Sequence, residues 1–243
     1  MRLGRPCSLL LVALLLAGCT GLPPRIRDHP LLDAAVHCDA KRLEMLLSSG
    51  ANVNERDESG WTALHWSSHS FTRWGDIKNQ ESCIRILIAH GANVNAKGDR
   101  GETPLGLGAW SVVCVHIFLK NGANVNAADA GGETPLTRAA TNPTDEAVRL
   151  LLDAGAEPNV HGLAGWTPLM CAVRHSTPET VKALLDAGAQ VNARDEVGHT
   201  ALKEIVTTKL PDFFDRLISE GDRRYVRERA EIIQMLRAAG GIE

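Results

Sequence analysis

The side chains able to do chemistry are scattered through this chain rather than gathered. Of nine histidines only His65 and His69 stand four residues apart, a spacing that puts two imidazoles on one helix face. Two ligands fall one or two short of a zinc site. His37, His90, His116, His161, His175 and His199 show no ligand spacing. Six cysteines occur, at positions 7, 19, 38, 83, 114 and 171. Cys83 and Cys114 each precede a Gly by eight residues. Helices in equivalent positions would stack about 8–10 Å apart, beyond the roughly 7 Å that a disulfide tolerates between Cα atoms. Cys171 takes an apolar helical position and reads as a small core residue. Cys38 falls in a turn and is expected to be the exposed thiol, so no disulfide is expected from spacing. There is no Gly-rich phosphate loop, Gly-x-Ser-x-Gly or His-Glu-x-x-His, motifs that would carry phosphoryl, acyl or metal chemistry. A catalytic residue, a cofactor and a metal are therefore not expected. A redox or metal-dependent envelope enzyme stays as the alternative from that class.

One cysteine has a context. Arg2 and Arg5 precede an apolar run from Leu9 to Leu16, and Leu16-Ala17-Gly18-Cys19 closes it. The positive start, apolar middle and small residue before the break make a secretory signal, and a spanning helix would need roughly 20 apolar residues. The Cys directly after Gly18 resembles the lipobox of bacterial lipoproteins. That resemblance implies cleavage before Cys19, acylation of its thiol and amino group, and, with neutral Thr20 following, sorting to the outer membrane with the protein facing the periplasm. Anchoring in the inner membrane and a soluble periplasmic form are the alternatives. Several acyl chains anchor stably where one does not. Residues 19–28 then form a tether, whose nine residues 20–28 reach at most about 30 Å when extended.

Loss of residues 1–18 leaves 24 basic against 29 acidic residues, a net charge of −5. That balance argues against nucleic acid as a partner, because phosphate contacts need a basic surface.

The remainder repeats. Gly-Ala-Asn-Val-Asn occurs at Gly50–Asn54, Gly91–Asn95 and Gly122–Asn126, with looser copies at Gly155–Asn159 and Gly188–Asn192. Successive glycines lie 41, 31, 33 and 33 residues apart. Eight residues after each final Asn stands Thr62, Thr103, Thr134, Thr167 or Thr200, followed by Pro-Leu or Ala-Leu. Thr caps a helix, Pro suits its first position, and Gly ends it in the left-handed conformation. This pattern resembles the ankyrin repeat, whose signature is Thr-Pro-Leu-His-x-Ala at a period near 33. The expected fold is all-α: a solenoid of about six helix-turn-helix units with short β-hairpin tips over residues 29–243. The units run approximately over 28–56, 57–97, 98–128, 129–161, 162–194 and 195–243. One helix pair cannot bury its apolar face alone, so stacking supplies the core. In the first unit His29-Pro30-Leu31-Leu32 and Asp33 replace the signature, the polar face a cap requires. His65 stands at the signature His, for which the resemblance implies a structural hydrogen-bonding role.

Two units break the period. The second carries extra residues around Ser67 to Glu81, including His69, Phe71 and Trp74. They read either as a longer first helix packed on its neighbours or as a loop with aromatic anchors. The sixth is also extended: Pro211–Ile218 reads as an inserted helix, and a last helix is expected from about Arg223 to Ala238. Its cluster Arg223, Arg224, Arg227 and Arg229 reads as a solvated face.

The resemblance implies a concave face of tips and first helices that binds protein, and a non-catalytic, monomeric binding module is expected. The candidate contacts are Glu58, Trp61, Phe71, Trp74, Asp99, Arg100, Glu102, Glu133, Trp166, Glu196 and His199. Trp61 and Trp166 hold the same tip position three repeats apart, and Trp is a favoured hot-spot residue; each indole could instead pack over its own hairpin. Trp66 and Trp110 extend the face or belong to the core. The acidic tip row suggests a partner with a basic patch. A scaffold or stabiliser of an envelope protein is the expected role, and an immunity-type inhibitor of an antibacterial toxin is its alternative.

Overall fold

The computed structural model describes residues 29–69, 77–142, 145–207 and 220–242. The expected signal, Cys19 with its tether, Phe71, Trp74 and the helix expected at Pro211–Ile218 lie outside these residues. Among the described residues twelve α-helices form six pairs: α1 Pro30–Val36 and α2 Ala40–Ser48; α3 Ala63–Ser68 and α4 Ile77–Ala89; α5 Pro104–Gly108 and α6 Val112–Lys120; α7 Pro135–Ala139 and α8 Glu146–Asp153; α9 Pro168–His175 and α10 Pro178–Asp186; α11 Ala201–Thr207 and α12 Glu220–Ala238. First helices pack on first helices (α1 to α3 to α5 to α7 to α9 to α11), and second helices on second helices in the same order. Two layers thus enclose one continuous core from Leu31 to Leu236, with Phe118, Leu136, Leu151 and Leu169 among its filled positions. None of the described helices is long and apolar enough to cross a membrane.

Local chemistry sets the helix starts. The Thr103, Thr134 and Thr167 hydroxyls accept from the amides of Gly106, Thr137 and Met170 at 3.1, 3.3 and 3.3 Å, each followed by Pro at the first helical position. These bonds satisfy amides that a helix start leaves without a partner.

The last Asn of each copy links one unit to the next. Asn126 donates through Nδ2 to the Gly155 carbonyl at 3.0 Å and accepts from the Glu157 amide at 2.9 Å. Asn54, Asn95, Asn159 and Asn192 do the same toward Gly91 and Asn93, Gly122 and Asn124, Gly188 and Gln190, and Gly240 and Ile242. One amide side chain thus caps the carbonyl end of the following unit's second helix, which explains why the motif ends in Asn.

The tips are hydrogen-bonded turns, and no strand occurs among the described residues. Asp57 N–H donates to the Trp61 carbonyl at 2.9 Å and Gly60 N–H to the Asp57 carbonyl at 3.0 Å, too few pairs to make a ladder. Successive tips join: Asp99 N–H to Ser59 O at 2.9 Å, Ala130 N–H to Arg100 O at 2.7 Å, and Glu196 N–H to Ala164 O at 3.1 Å. Gly132 shows what the tips demand. It holds φ at +76°, and a Cβ there would lie 2.7 Å from the His161 carbonyl oxygen, so only glycine fits.

The second unit's extra length does not lengthen its first helix. α3 ends at Ser68, with His69 already extended. α4 instead has 13 residues, where α2, α6 and α10 have nine. In the last unit α12 begins at Glu220, three residues before the expected start, and Arg224 on it is exposed and paired with Glu228 at 2.6 Å. Cys38 is buried, against the expectation of an exposed thiol. Its side chain joins the apolar core, so a turn position here is not a surface position.

Candidate functional site: the concave face

Each tip leads into a first helix, so the tip residue in the Trp61 register and the residues five and eight places on lie along one face. Around Trp61 that face is aromatic. Its indole stacks on the His65 ring at 5.9 Å and 21°, and lies 4.9 Å from Trp66 and 5.4 Å from His69 between ring centroids. The indole also covers the next unit's backbone: a Cβ on Gly98 would fall 2.7 Å from Trp61 Cδ1 and 2.8 Å from Glu102 Oε2. Trp61 is half-buried rather than projecting.

His65 is a structural bridge. Thr62 N–H donates to its Nδ1 at 3.1 Å, so the proton sits on Nε2, which donates to the Glu102 carbonyl at 3.1 Å. Both ring nitrogens are committed and neither can take a metal. Burial holds its pKa below the usual imidazole range. Burial, with the Arg138 charge adding to it, lowers His69 to about 4. Both rings are neutral at physiological pH, because a buried imidazolium loses its hydration.

The middle of the face carries a half-buried charge pair. Asp129 accepts from the Gly131 and Glu133 amides through Oδ1, at 2.8 and 3.1 Å, and from Arg138 Nη2 through Oδ2 at 2.6 Å. In the second unit Asp57 makes the same amide bonds, and Trp66 Nε1 takes the place of the guanidinium at 2.8 Å. Sequence reasoning missed this pairing, although the signal is present. A donor follows nine residues after Asp57 and Asp129, whereas Glu204 stands nine after Asp195, and where Gly98 and Gly162 replace that Asp the ninth residue is Leu107 or Cys171.

At the far end Trp166 is only 7% exposed. Arg174 lies over its ring with Cζ 5.6 Å from the centroid, while Nη1 donates to Glu204 at 2.8 Å. His199 Nδ1 is 3.6 Å from the other Glu204 oxygen. Burial, then the Arg174 charge, lowers the pKa of His175 on the same helix.

The remaining candidates divide by exposure. Glu58, Asp99, Arg100 and Glu196 are exposed, while Glu102, Glu133 and His199 are half-buried. Glu102 accepts from the Arg100 amide and Glu133 from the Leu163 amide, both at 3.1 Å, so these two carboxylates also hold tips in place. Trp110, 37% exposed, sits beside α7 with Nε1 donating to the Arg138 carbonyl at 2.8 Å.

Comparison with known families agrees with this geometry. The family model described as ankyrin repeats (3 copies) matches at residues 31–129, 78–162, 108–195 and 136–223. The chain belongs to the ankyrin-repeat family. A stretch of 79 residues is also 32% identical to a mitochondrial disaggregase of Bos taurus, covering 32% of this chain and 10% of that protein. This chain therefore matches only about a tenth of that relative's length. Ankyrin arrays serve as protein–protein interaction scaffolds, and the face just described is the one such an array offers.

Proposed function

We propose that this ankyrin chain is a non-catalytic lipoprotein, anchored through Cys19 in the outer membrane, that binds an envelope protein with its concave face and acts there as scaffold or stabiliser. The observation that carries the reading is the balance of charge along the face. Arg138 and Arg174 are paired within the fold, to Asp129 and Glu204 at 2.6 and 2.8 Å. Glu58, Asp99 and Glu196 stand exposed on the tips. The tip row is thus acidic, and the complementary partner carries a basic patch. Trp110 supplies aromatic area beside that row, and aromatic residues are enriched where interfaces dehydrate.

Two experiments test this. A photo-crosslinker at Asp99 in living cells should capture one protein that a crosslinker at Lys182, exposed on α10, does not. Adding Glu58→Lys and Glu196→Lys should reduce that capture about tenfold or more, because like charges across an interface cost on the order of a kcal/mol or more. Equal capture at both positions would refute the concave face as the site. A captured toxin would mean an inhibitor rather than a scaffold. For the anchor, Cys19→Ala should abolish fatty-acid labelling and membrane retention; labelling that persists would end the lipoprotein reading.

A further inference from the structure

The tips change character along the array. The two residues before the glycine that closes each tip are Glu58-Ser59, Asp99-Arg100, Ala130-Gly131, Leu163-Ala164 and Glu196-Val197, in the second to the sixth unit. All but Gly131 are exposed. The second and third units thus present polar and charged side chains at this position, and the fourth and fifth present none. Leu163 is 38% and Val197 74% exposed. A single exposed apolar side chain is ordinary on a protein surface. What sets this stretch apart is the way Leu163 is held.

The Asp99, Ala130 and Glu196 amides each donate to a carbonyl of the preceding tip. The Leu163 amide donates instead to Glu133 Oε1, at 3.1 Å. The chain then passes through Ala164 at φ +59° and ψ 22°, the left-handed region that a residue with a Cβ rarely occupies. The other four tips reach positive φ only at their glycines. Strain of this kind persists where the surroundings fix it. Here the Glu133 carboxylate holds one side, and the Glu196 amide, donating to the Ala164 carbonyl at 3.1 Å, holds the other. Leu163 leans over the small tip before it, with Cδ1 3.9 Å from where a Cβ on Gly131 would stand. The tip tolerates strained backbone and keeps a leucine in the tip row.

We propose that the tip row is a two-part docking surface. Its partner is a protein carrying a basic patch for Glu58 and Asp99 and, beside it, an apolar patch for Leu163 and Val197. This rests on the reading of the concave face as a protein-binding surface and adds the direction in which the partner lies. Arg100 is the one cation at the second and third tips, and the carboxylates outnumber it. Glu196, in the same tip as Val197, gives the far end a polar rim, as interfaces commonly have. Units stack about 8–10 Å apart, so the third and fifth tips lie two steps, about 16–20 Å, from each other. The charged half steers and orients the partner, and the apolar half adds affinity through surface taken from water.

The test places a photo-crosslinker at Asp99 in one strain and at Val197 in another, each in the full chain in living cells, and sequences the attached peptides by mass spectrometry. The expected result is one and the same protein from both positions. The peptide joined at Asp99 should carry Lys or Arg at the attachment point, and the one joined at Val197 apolar residues. Leu163→Ser with Val197→Ser should lower capture at Asp99 tenfold or more. Both side chains are exposed, so Tm should hold within about 2 °C, and Leu163→Met with Val197→Met, which keeps the surface apolar, should restore capture. Capture at Asp99 with none at Val197, a different protein or a phospholipid at Val197, or undiminished capture by the double Ser variant would each overturn the two-part surface and leave the acidic concave site standing. Absence of specific capture at Asp99 would overturn both.

Discussion

Trp61 and Trp166 occupy the same register of the repeat and have different surroundings. Trp61 lies among imidazoles and over the Gly98 backbone of the next unit. Trp166 is buried beneath the Arg174 guanidinium, which Glu204 of the next unit holds in place. The residue eight places after each tryptophan makes the difference: His69 in one unit, Arg174 in the other. A repeat register therefore places a side chain on a face without deciding whether it meets solvent, its own unit or its neighbour.

The largest effect expected from this comparison is on stability. Trp166→Ala should cost about 3–5 kcal/mol, the range for a buried aromatic, and Trp61→Ala clearly less, because Trp61 is only half-buried. Denaturant unfolding measures both, and equal losses would erase the distinction. Arg174→Lys should weaken the Trp166 end as well, since an ammonium does not reproduce a stacked, forked guanidinium.

Acid should act next, and at the Trp61 end. The folded pKa of His69 is about 4, against about 6.5 in the unfolded chain. Between those values the unfolded state binds more protons, so stability present above pH 6.5 is lost as pH falls toward 4. This residue accounts for at most about 3 kcal/mol of that loss. His65 and His175 shift in the same direction, so His69→Gln should flatten the pH dependence in part. An unchanged slope would show that His69 is solvated.

The smallest effect separates two glycines in matching positions. Gly98→Ala forces a Cβ to 2.7 Å from a Trp61 ring atom, whereas Gly162→Ala meets Glu133 Oε1 at 2.6 Å. A ring wedged against neighbours cannot yield, and a carboxylate on a flexible stem can. Gly98→Ala should cost about 1–3 kcal/mol and change the near-ultraviolet circular dichroism of the indoles. Gly162→Ala should cost less and leave that signal alone.

Much of the fold was legible because its rules are local. Thr, Pro and Leu at fixed spacing announce helix starts, and the Gly of each copy announces helix ends. The structural role of His65 followed from its place in the signature. The concave face was legible as a row of positions, but the state of each position was not. Glu102 and Glu133 read as surface carboxylates, yet each accepts a tip amide. The Asp57–Trp66 and Asp129–Arg138 bonds left a trace nine residues apart that went unread, because donors as unlike as indole and guanidinium do not register as one motif.

By itself, the sequence determined the period, the pairing of helices and the order in which units stack. Each of these rests on capping, turns and nearest-neighbour burial within about 33 residues. The tertiary structure alone decided that Cys38 is buried, that Trp166 is covered and Trp61 half-covered, and that the final Asn of each copy caps the next unit's helix. Those contacts join positions of different register, some within one unit and some in adjacent units. They depend on how closely two surfaces approach, and a spacing along the chain carries no record of that distance.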